Sequence, residues 1–259
     1  MLTPGAETLE LGPILAHFEE HGWARVGRVL SDGALRQLGE RLDDLMMARV
    51  RHEGMFFQLD SATGRYGDLE FAKGWQGPSP NYRKLEKLEL DPIFATWIAN
   101  PLFERIARAR IAGPIAIYRA VVFNKSRSGG TELPWHQDGG AFWGIDRDPE
   151  LQIWTAFDDC TIDAGCVELL PGTHRAGLTT KEGGVIPDAL LREAEAERRA
   201  VAIPARAGEV LLIHNHVWHR SRLNRSDHRR AALTICYMSA ATRCLRRKRA
   251  PRQFPVVFP

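Results

Sequence analysis

Residues 115–125 read IAIYRAVVFNK, and this run begins a change in the character of the sequence. Five further runs rich in β-branched and apolar residues follow it: LQIWTAFDD (151–159), GCVELLPG (165–172), RAVAIPA (199–205), GEVLLIHN (208–215) and AALTICYMSA (231–240). Short runs of this kind, separated by Gly, Pro, Asn and Asp, are typical of β-strands. Only residues 187–199 interrupt them with a helical pattern. Because helices do not alternate with the strands, we expect a sandwich or jelly roll over residues 115–242.

The chain before residue 115 has a mainly helical pattern. Residues 13–23 and 34–50 repeat apolar residues at helical spacing, and Ser31-Asp32-Gly33 precedes the second stretch as a helix start. A third helical stretch covers about residues 92–112, and the Gly-, Pro- and aromatic-rich residues 54–84 predict a long loop. We therefore expect a single domain over residues 1–259. Its parts would be a helical support (1–114), a β core (115–242) and a C-terminal tail (243–259).

The composition excludes several classes of protein. Hydrophobic residues make up 44% and charged residues 26% of the 259 residues, a balance found in folded proteins and not in disordered chains. No run approaches the ~18 continuous apolar residues of a membrane span, so we expect no membrane partner. The N-terminal residues lack the pattern of a signal peptide, and the four cysteines form no CxxC pair. Together these features predict a cytoplasmic protein.

The net charge of +3 is unevenly distributed. Residues 243–252 read RCLRRKRAPR and contain six basic side chains and no acid, so the rest of the chain sums to −3. A basic patch of this kind can bind nucleic acid or an anionic surface. It can equally be a solvated face, and charge alone is a weak sign of a nucleic-acid partner. We favour the solvated face and expect no nucleic-acid partner.

One short motif has the spacing of a metal site. His136-Gln137-Asp138 places an imidazole and a carboxylate two residues apart, so in an extended segment both point to the same side. Two histidines and one carboxylate on one face of iron or another divalent metal leave positions open for other ligands. Chance alone gives about one H-x-[DE] in a chain of this composition. The other occurrence, His17-Phe18-Glu19, lies in a helical pattern, where such residues do not share a face.

A third ligand has to come from a later strand, and the candidates are His214, His216 and His219. The residues that follow His219 favour it: Ser221 lies two positions on, and Arg230 begins the next apolar run. An arginine entering that strand can hold a carboxylate beside the metal with its planar guanidinium. Alternation along the strand sends Arg229 to the opposite face, where we expect a solvent-facing charge.

The distribution of motifs resembles that of the phytanoyl-CoA dioxygenase family of iron(II)/2-oxoglutarate oxygenases. The resemblance covers about residues 14–240. It lies in FEEHGWARVGRVL (18–30), in residues 82–113, in FNK (123–125) followed by LPWHQD (133–138), in WTAFDDCTIDAGCVELLPGTHRAGL (154–178), and in AGEVLLIHNHVWHRSRLNRS (207–226) followed by Arg230. Two departures are Asp163-Ala164-Gly165, where the family often has Glu-Asn-Gly or Asn-Asn-Gly, and Arg220, where it often has a small residue.

The resemblance implies a mainly β protein with flanking N-terminal helices, folded as a double-stranded β-helix, the cupin-like jelly roll. It also implies that His136, Asp138 and His219 hold Fe(2+), with no further catalytic side chain. The cosubstrates are O2 and 2-oxoglutarate. The implied 2-oxoglutarate contacts are Arg230, Ser221, Trp154, Thr155 and Lys84. For His174 we expect a structural role in its turn or a contact behind the metal ligands. Lys125 could attract an anionic group, but we favour a charge at a strand end.

The implied reaction is oxidation of a C–H bond in a small organic molecule, with release of succinate and CO2; hydroxylation is the favoured outcome, and desaturation is the alternative. Trp135, Phe142 and Trp143 flank the metal motif and predict an aromatic mouth. Asp146 and Asp148 nearby could attract a cationic group or could simply be solvated. Three alternatives stay open at this stage: a cupin-type metal enzyme that does not use 2-oxoglutarate, a non-catalytic small-molecule binder, and a nucleic-acid demethylase. The substrate and the oligomeric state are not defined by the sequence.

Overall fold

The computed structural model describes residues 2–71, 73–247 and 251–259. The helices in this part of the chain are α1 (Gly12–His21), α2 (Asp32–Met46), α3 (Pro92–Ile98), α4 (Pro101–Arg108), α5 (Asp188–Glu193) and α6 (Ala196–Arg199). The strands are β1 (Trp23–Arg28), β2 (Phe56–Leu59), β3 (Tyr82–Glu86), β4 (Ile115–Lys125), β5 (Leu133–Gln137), β6 (Leu151–Ala156), β7 (Val167–Leu170), β8 (Gly184–Val185), β9 (Val201–Ile203), β10 (Glu209–His214), β11 (Trp218–Ser221), β12 (Arg230–Ser239) and β13 (Val256–Phe258).

Two antiparallel sheets form the β core. The larger one has eight strands in the order β1-β10-β6-β12-β4-β3-β2, and β13 also pairs with β4. The smaller one has five strands in the order β8-β5-β11-β7-β9. Successive strands of the chain alternate between the two sheets from β4 to β7, which is how a jelly roll folds its strands into facing sheets. The expected mainly β architecture with N-terminal helices is confirmed.

The large sheet is buried on both faces. On one face of β12, Leu233 and Ile235 pack in an apolar cluster with the helices. On its other face, Ala232 packs in a second apolar cluster with residues of the small sheet. The helices contribute large, fully buried side chains to the first cluster: Phe18, Leu38, Leu42, Trp97 and Phe103. Because both faces are covered, the central strands β6 and β12 are buried along almost their whole length and do not alternate between buried and exposed residues.

Helix-capping residues set where the helices begin. The Ser31 hydroxyl accepts from the backbone N–H of Ala34 at 3.4 Å, so the predicted helix start at Ser31 is confirmed. The predicted helix over 92–112 is two helices, because Asn100 caps a new helix with Pro101 at its first position. A proline is well tolerated there but cannot continue the preceding helix.

The predicted loop over residues 54–84 is only partly a loop. Its two ends are the strands β2 and β3, which pair with each other and extend the large sheet beyond β4. The Gly- and Pro-rich middle hid these short strands. The tail also contains a strand, since β13 pairs with β4. Two of its basic residues, Lys248 and Arg249, lie outside the described residues.

None of the helices in the described ranges combines the length and the apolar character needed to cross a membrane.

The packing of α2 on the large sheet predicts a large stability difference between two leucines. Leu42→Ala removes a fully buried side chain and should lower the free energy of unfolding by about 2–5 kcal/mol. Leu90→Ala is the matched control, because Leu90 is 43% exposed, and should cost well under half as much. Urea denaturation of both variants measures the difference. Equal losses would mean that α2 does not pack as described.

Candidate metal centre and cosubstrate cavity

The structure brings His136, Asp138 and His219 together. Their ligand atoms all lie within 4.8 Å of one another, and they are the one such cluster of His, Cys, Asp or Glu side chains in the described part of the chain. His136 on β5 and His219 on β11 are directly opposite each other in the small sheet, with ring centroids 4.0 Å apart. Asp138 follows the end of β5. The sheet pairing therefore sets the distance between the two imidazoles.

Both histidines present the correct nitrogen to a metal. Nδ1 of His136 lies 2.9 Å from the carbonyl oxygen of Pro134, and Nδ1 of His219 lies 2.9 Å from that of Val217. A carbonyl oxygen only accepts, so each Nδ1 carries the proton and each Nε2 keeps its lone pair. Burial, with His219 adjacent, lowers the pKa of His136 to about 3. Its imidazole is therefore neutral near pH 7, as metal binding requires.

Asp138 is held as a carboxylate by donors on both oxygens. Gln152 Nε2 donates to Oδ2 at 2.8 Å, and Arg119 Nη2 donates to Oδ1 at 3.0 Å. Burial acts to raise the pKa of Asp138, but Arg119, the two histidines and Gln152 together hold it below its usual value. The donor set of two neutral imidazoles and one fixed carboxylate fits a divalent iron ion with open positions.

The other candidate histidines lie elsewhere. His214 Nδ1 accepts from the backbone N–H of His216 at 3.0 Å, and His216 Nε2 is 3.3 Å from Asp148. His174 bonds to the backbone oxygen of Glu19 at 3.0 Å, which agrees with the structural role expected for it. His17 and Glu19, the other H-x-[DE] pair, lie exposed on α1.

A cavity of about 300 Å³ opens between the two sheets beside the metal cluster. Six cationic side chains line it: Arg83, Lys84, Arg119, Lys125, Arg220 and Arg230. Asp138 is the one carboxylate among the described lining residues. Three of the cations have carboxylate partners, since Arg119 pairs with Asp138, Lys84 with Glu86, and Arg220 with Glu168 and Glu197. A cavity with this excess of positive charge is suited to anionic ligands.

Arg230 points into this cavity, as expected. It is 2% exposed, its Nε has no hydrogen-bond partner, and no carboxylate lies within 4.0 Å of it in the described residues. Ser221 is also buried and lines the same cavity. Arg229 lies on the opposite face, but it is not the free surface charge that was expected. It forms ion pairs with Asp43 and Asp158, which tie α2 to the sheet.

Lys125 is more deeply buried than the favoured interpretation, a charge at a strand end, implied. It is buried, it is the β4 residue directly opposite Arg230, and its ammonium donates to the backbone oxygen of Thr131. Burial and the adjacent Arg230 lower the pKa of Lys125 well below its usual value. A buried, unpaired cation beside Arg230 is a further candidate for contact with an anion.

The two neighbouring residues predicted on β6 face opposite ways. Trp154 lines the cavity, and the Arg230 guanidinium lies 5.7 Å from its ring centroid. Thr155 points toward the helices, where its hydroxyl accepts from Trp97 Nε1 at 3.3 Å. The prediction that Thr155 contacts 2-oxoglutarate therefore disagrees with the structure, because adjacent residues of a strand face opposite sides. Lys84 lines the cavity, near Glu86 and Arg119.

Sequence reasoning missed Arg119. A bulge in the β4–β12 pairing at Tyr118 directs two consecutive side chains, Tyr118 and Arg119, to the same side. The Arg119 guanidinium lies 4.7 Å from the ring centroid of Trp143, and that ring stacks on Tyr118 at 4.0 Å. The guanidinium of Arg252, in the C-terminal tail, lies 4.6 Å from the ring centroid of Tyr118. The tail thus braces the segment that holds Arg119 against Asp138.

The mouth of the cavity is partly as expected. Phe142 and Trp143 line it, whereas Trp135 faces away and packs in a separate cluster with Leu170 and Trp218. The acids near the mouth are engaged within the protein: Asp146 pairs with Arg243, and Asp148 accepts from the backbone N–H of Gly140 at 2.9 Å. Both carboxylates therefore have partners within the protein.

Comparison with known proteins identifies what this arrangement is similar to. The phytanoyl-CoA dioxygenase (PhyH) family model matches residues 18–232. A mouse phytanoyl-CoA dioxygenase domain-containing protein 1 is 30% identical over 159 residues, which are 58% of this chain and 54% of that protein. The chain thus spans about half the length of such curated relatives. An L-proline trans-4-hydroxylase from Streptomyces griseoviridis is 24% identical, covering 83% of this chain and 82% of that protein.

Among solved structures, EctD from S. alaskensis with 2-oxoglutarate and 5-hydroxyectoine matches with a TM-score of 0.77 and 19% identity. The match covers 100% of this chain and 89% of that chain, so the overall fold is the same. The family model runs from within α1 to the start of β12 and includes every strand of the small sheet and the metal cluster. The chain therefore belongs to the phytanoyl-CoA dioxygenase family.

Proposed function

We propose that this protein is an Fe(II)- and 2-oxoglutarate-dependent dioxygenase that hydroxylates a C–H bond of a small organic molecule, releasing succinate and CO2. One observation carries the proposal: the His136, Asp138 and His219 cluster shares a cavity with Arg230, a buried arginine without a carboxylate partner. A buried arginine without a carboxylate partner beside a metal cluster is suited to bind an anion, and the distal carboxylate of 2-oxoglutarate is the anion we propose for it. The relative named as a proline hydroxylase supports a small-molecule substrate.

In this proposal the chain itself has three tasks. His136, Asp138 and His219 hold the iron, and Gln152 and Arg119 fix the orientation of the carboxylate. Arg230 binds the distal carboxylate of 2-oxoglutarate, with Ser221 and the adjacent Lys125 beside it. Trp154 forms the wall at Arg230, and Lys84 lies on the Arg119 side of the cavity. Iron and the cosubstrate, when bound, supply the oxidising chemistry, so no side-chain acid or base is needed.

The metal assignment predicts a sharp difference between two histidines. His219→Ala removes a ligand and should abolish tight binding of Fe(II), or of Co(II) as a spectroscopic substitute, while the thermal unfolding temperature changes little. His216→Ala is the matched control because its ring lies near Asp148, outside the cluster, and it should keep metal binding. Isothermal titration with metal measures both. Full metal binding in His219→Ala would mean that another residue is the third ligand.

The cosubstrate assignment predicts a difference between two adjacent arginines. Arg230→Ala should weaken 2-oxoglutarate binding by roughly 10- to 100-fold, because it deletes a charge-assisted pair of about 1.5–3 kcal/mol. Arg229→Ala should leave that dissociation constant unchanged and lower stability instead, since it loses the pairs to Asp43 and Asp158. Titration of 2-oxoglutarate into each metal-loaded variant separates the two. Similar weakening in both would contradict the assigned strand faces.

The reaction assignment is tested by the products. With Fe(II), ascorbate, O2 and 2-oxoglutarate, the protein should form succinate slowly without substrate, and at one succinate per oxidation with it. No chlorinated product is expected in chloride buffer, because Asp138 occupies the carboxylate position of the metal cluster. His219→Ala serves as the inactive control. Iron bound at the cluster without any succinate would contradict the oxygenase and favour a cupin-type enzyme.

A further inference from the structure

A second group of buried polar and cationic side chains lines the cavity on the wall formed by the end of the large sheet. This wall comes from β2, β3 and the segment between them, and it includes Gln58, Tyr66, Phe71 and Arg83. Arg83 is there because of a bulge: Gln58 is opposite Lys84 and Leu59 is opposite Tyr82, which leaves Arg83 without a partner residue in β2. Both Arg83 and Lys84 consequently line the cavity.

Arg83 is buried without a carboxylate. It is 6% exposed, and no carboxylate oxygen lies within 4.0 Å of it in the described residues. Its Nη1 donates to Gln58 Oε1 at 2.9 Å, and Gln58 Nε2 donates to the backbone oxygen of Glu70 at 3.3 Å, which fixes the amide orientation. Its guanidinium carbon lies 5.9 Å from the Phe123 ring centroid and 6.0 Å from that of Tyr66. The guanidinium is thus held in place by neutral groups.

Among the acidic side chains, Asp60 does most to raise the pKa of Arg83, but both oxygens of Asp60 already accept hydrogen bonds from other side chains. Asp60 Oδ1 accepts from the Thr131 hydroxyl at 2.8 Å, and Oδ2 accepts from the Ser126 hydroxyl at 3.3 Å. A buried charge without a hydrogen-bonded counter-charge destabilises a folded protein. An arginine kept at such a position, fixed in orientation and facing a cavity, indicates that an anion completes the site.

Arg83 lies on a different strand from the residues assigned above to the distal carboxylate of 2-oxoglutarate. Arg230 lies on β12, Lys125 is opposite it on β4, and Arg83 lies on β3, the strand beyond β4. With neighbouring strands ~4.8 Å apart, the backbones at Arg230 and Arg83 are separated by roughly 10 Å. In the proposed function Arg230 and Lys125 bind the distal carboxylate of 2-oxoglutarate, which leaves Arg83 available for a second anionic group.

We propose that Arg83 and Gln58 form the binding site for a carboxylate group of the prime substrate, which is therefore a small organic acid with an apolar body. This rests on the oxygenase function proposed above. The planar guanidinium can hold a carboxylate with two parallel hydrogen bonds. The apolar body would cover Phe71 and Phe142 at the mouth, which are 65% and 76% exposed. The iron and Arg230 remain available to 2-oxoglutarate.

The test uses matched pairs of probes that differ only in charge: 3-phenylpropionate with 3-phenylpropanamide, and hexanoate with hexanamide. Each is titrated, without oxygen, into the full-length protein loaded with Fe(II) and 2-oxoglutarate. The wild type should bind the carboxylates roughly 10- to 100-fold more tightly than the amides, as a charge-assisted pair predicts. In Arg83→Gln this preference should disappear, while the dissociation constant of 2-oxoglutarate stays unchanged. Arg83→Lys keeps the positive charge but loses the planar guanidinium, so its preference for carboxylates over amides should be intermediate.

Two controls make the result specific. Arg127→Gln makes the same charge change at an exposed residue and should behave as the wild type. Arg83→Gln should unfold at the same or a higher temperature than the wild type, because it removes an uncompensated buried charge. A variant that unfolded at a much lower temperature would show that Arg83 is structural and would overturn the proposal.

Three further results would also overturn it: equal binding of carboxylates and amides by the wild type, no binding of any probe, or loss of 2-oxoglutarate binding in Arg83→Gln. Failure of the oxygenase function would look different. In that case the wild type would not bind 2-oxoglutarate, yet a carboxylate preference that depends on Arg83 would still be measurable and would support the anion site alone.

Discussion

The register between β5 and β11 is the constraint on which the site depends. It places His136 directly opposite His219, and each ring is oriented by the same local contact, a hydrogen bond from Nδ1 to the carbonyl oxygen two residues earlier in its own segment. A slip of one residue in either strand would turn one imidazole to the other face of the small sheet. The metal cluster is thus a consequence of backbone pairing. Asp138, which follows β5, depends instead on Gln152 and Arg119 for its orientation.

The charges around the metal come from irregularities in an otherwise regular sheet. One bulge, at Tyr118, aims Arg119 at Asp138, and the other, at Arg83, adds a cation to the distant wall. The large sheet tolerates both because helices cover its other face and supply most of the apolar core. The sheet thus carries several buried cations on its cavity face, and this excess of positive charge is suited to anionic ligands.

The sequence predicted what depends on local patterns. The β-rich runs, the metal triad and the inward face of Arg230 could be read from residue spacing and from the family resemblance. Thr155 could not be placed, because β6 is buried on both faces and shows no alternation of polar and apolar residues. Lys125 looked like a charge at a strand end, and its burial follows only from its pairing with β12. Arg119 and Arg83 were missed because a bulge changes which face a residue occupies, and no local pattern marks it.

The central claim is that iron and 2-oxoglutarate bind together in this cavity, the metal on the triad and the distal carboxylate on Arg230. The most direct measurement is the absorption spectrum of the oxygen-free protein as Fe(II) and then 2-oxoglutarate are added. A visible metal-to-ligand charge-transfer band arises only when 2-oxoglutarate is bound to the iron itself. We predict that the band appears with both additions and with neither alone. Fe(II) binding by the protein with no such band at saturating 2-oxoglutarate would contradict the account.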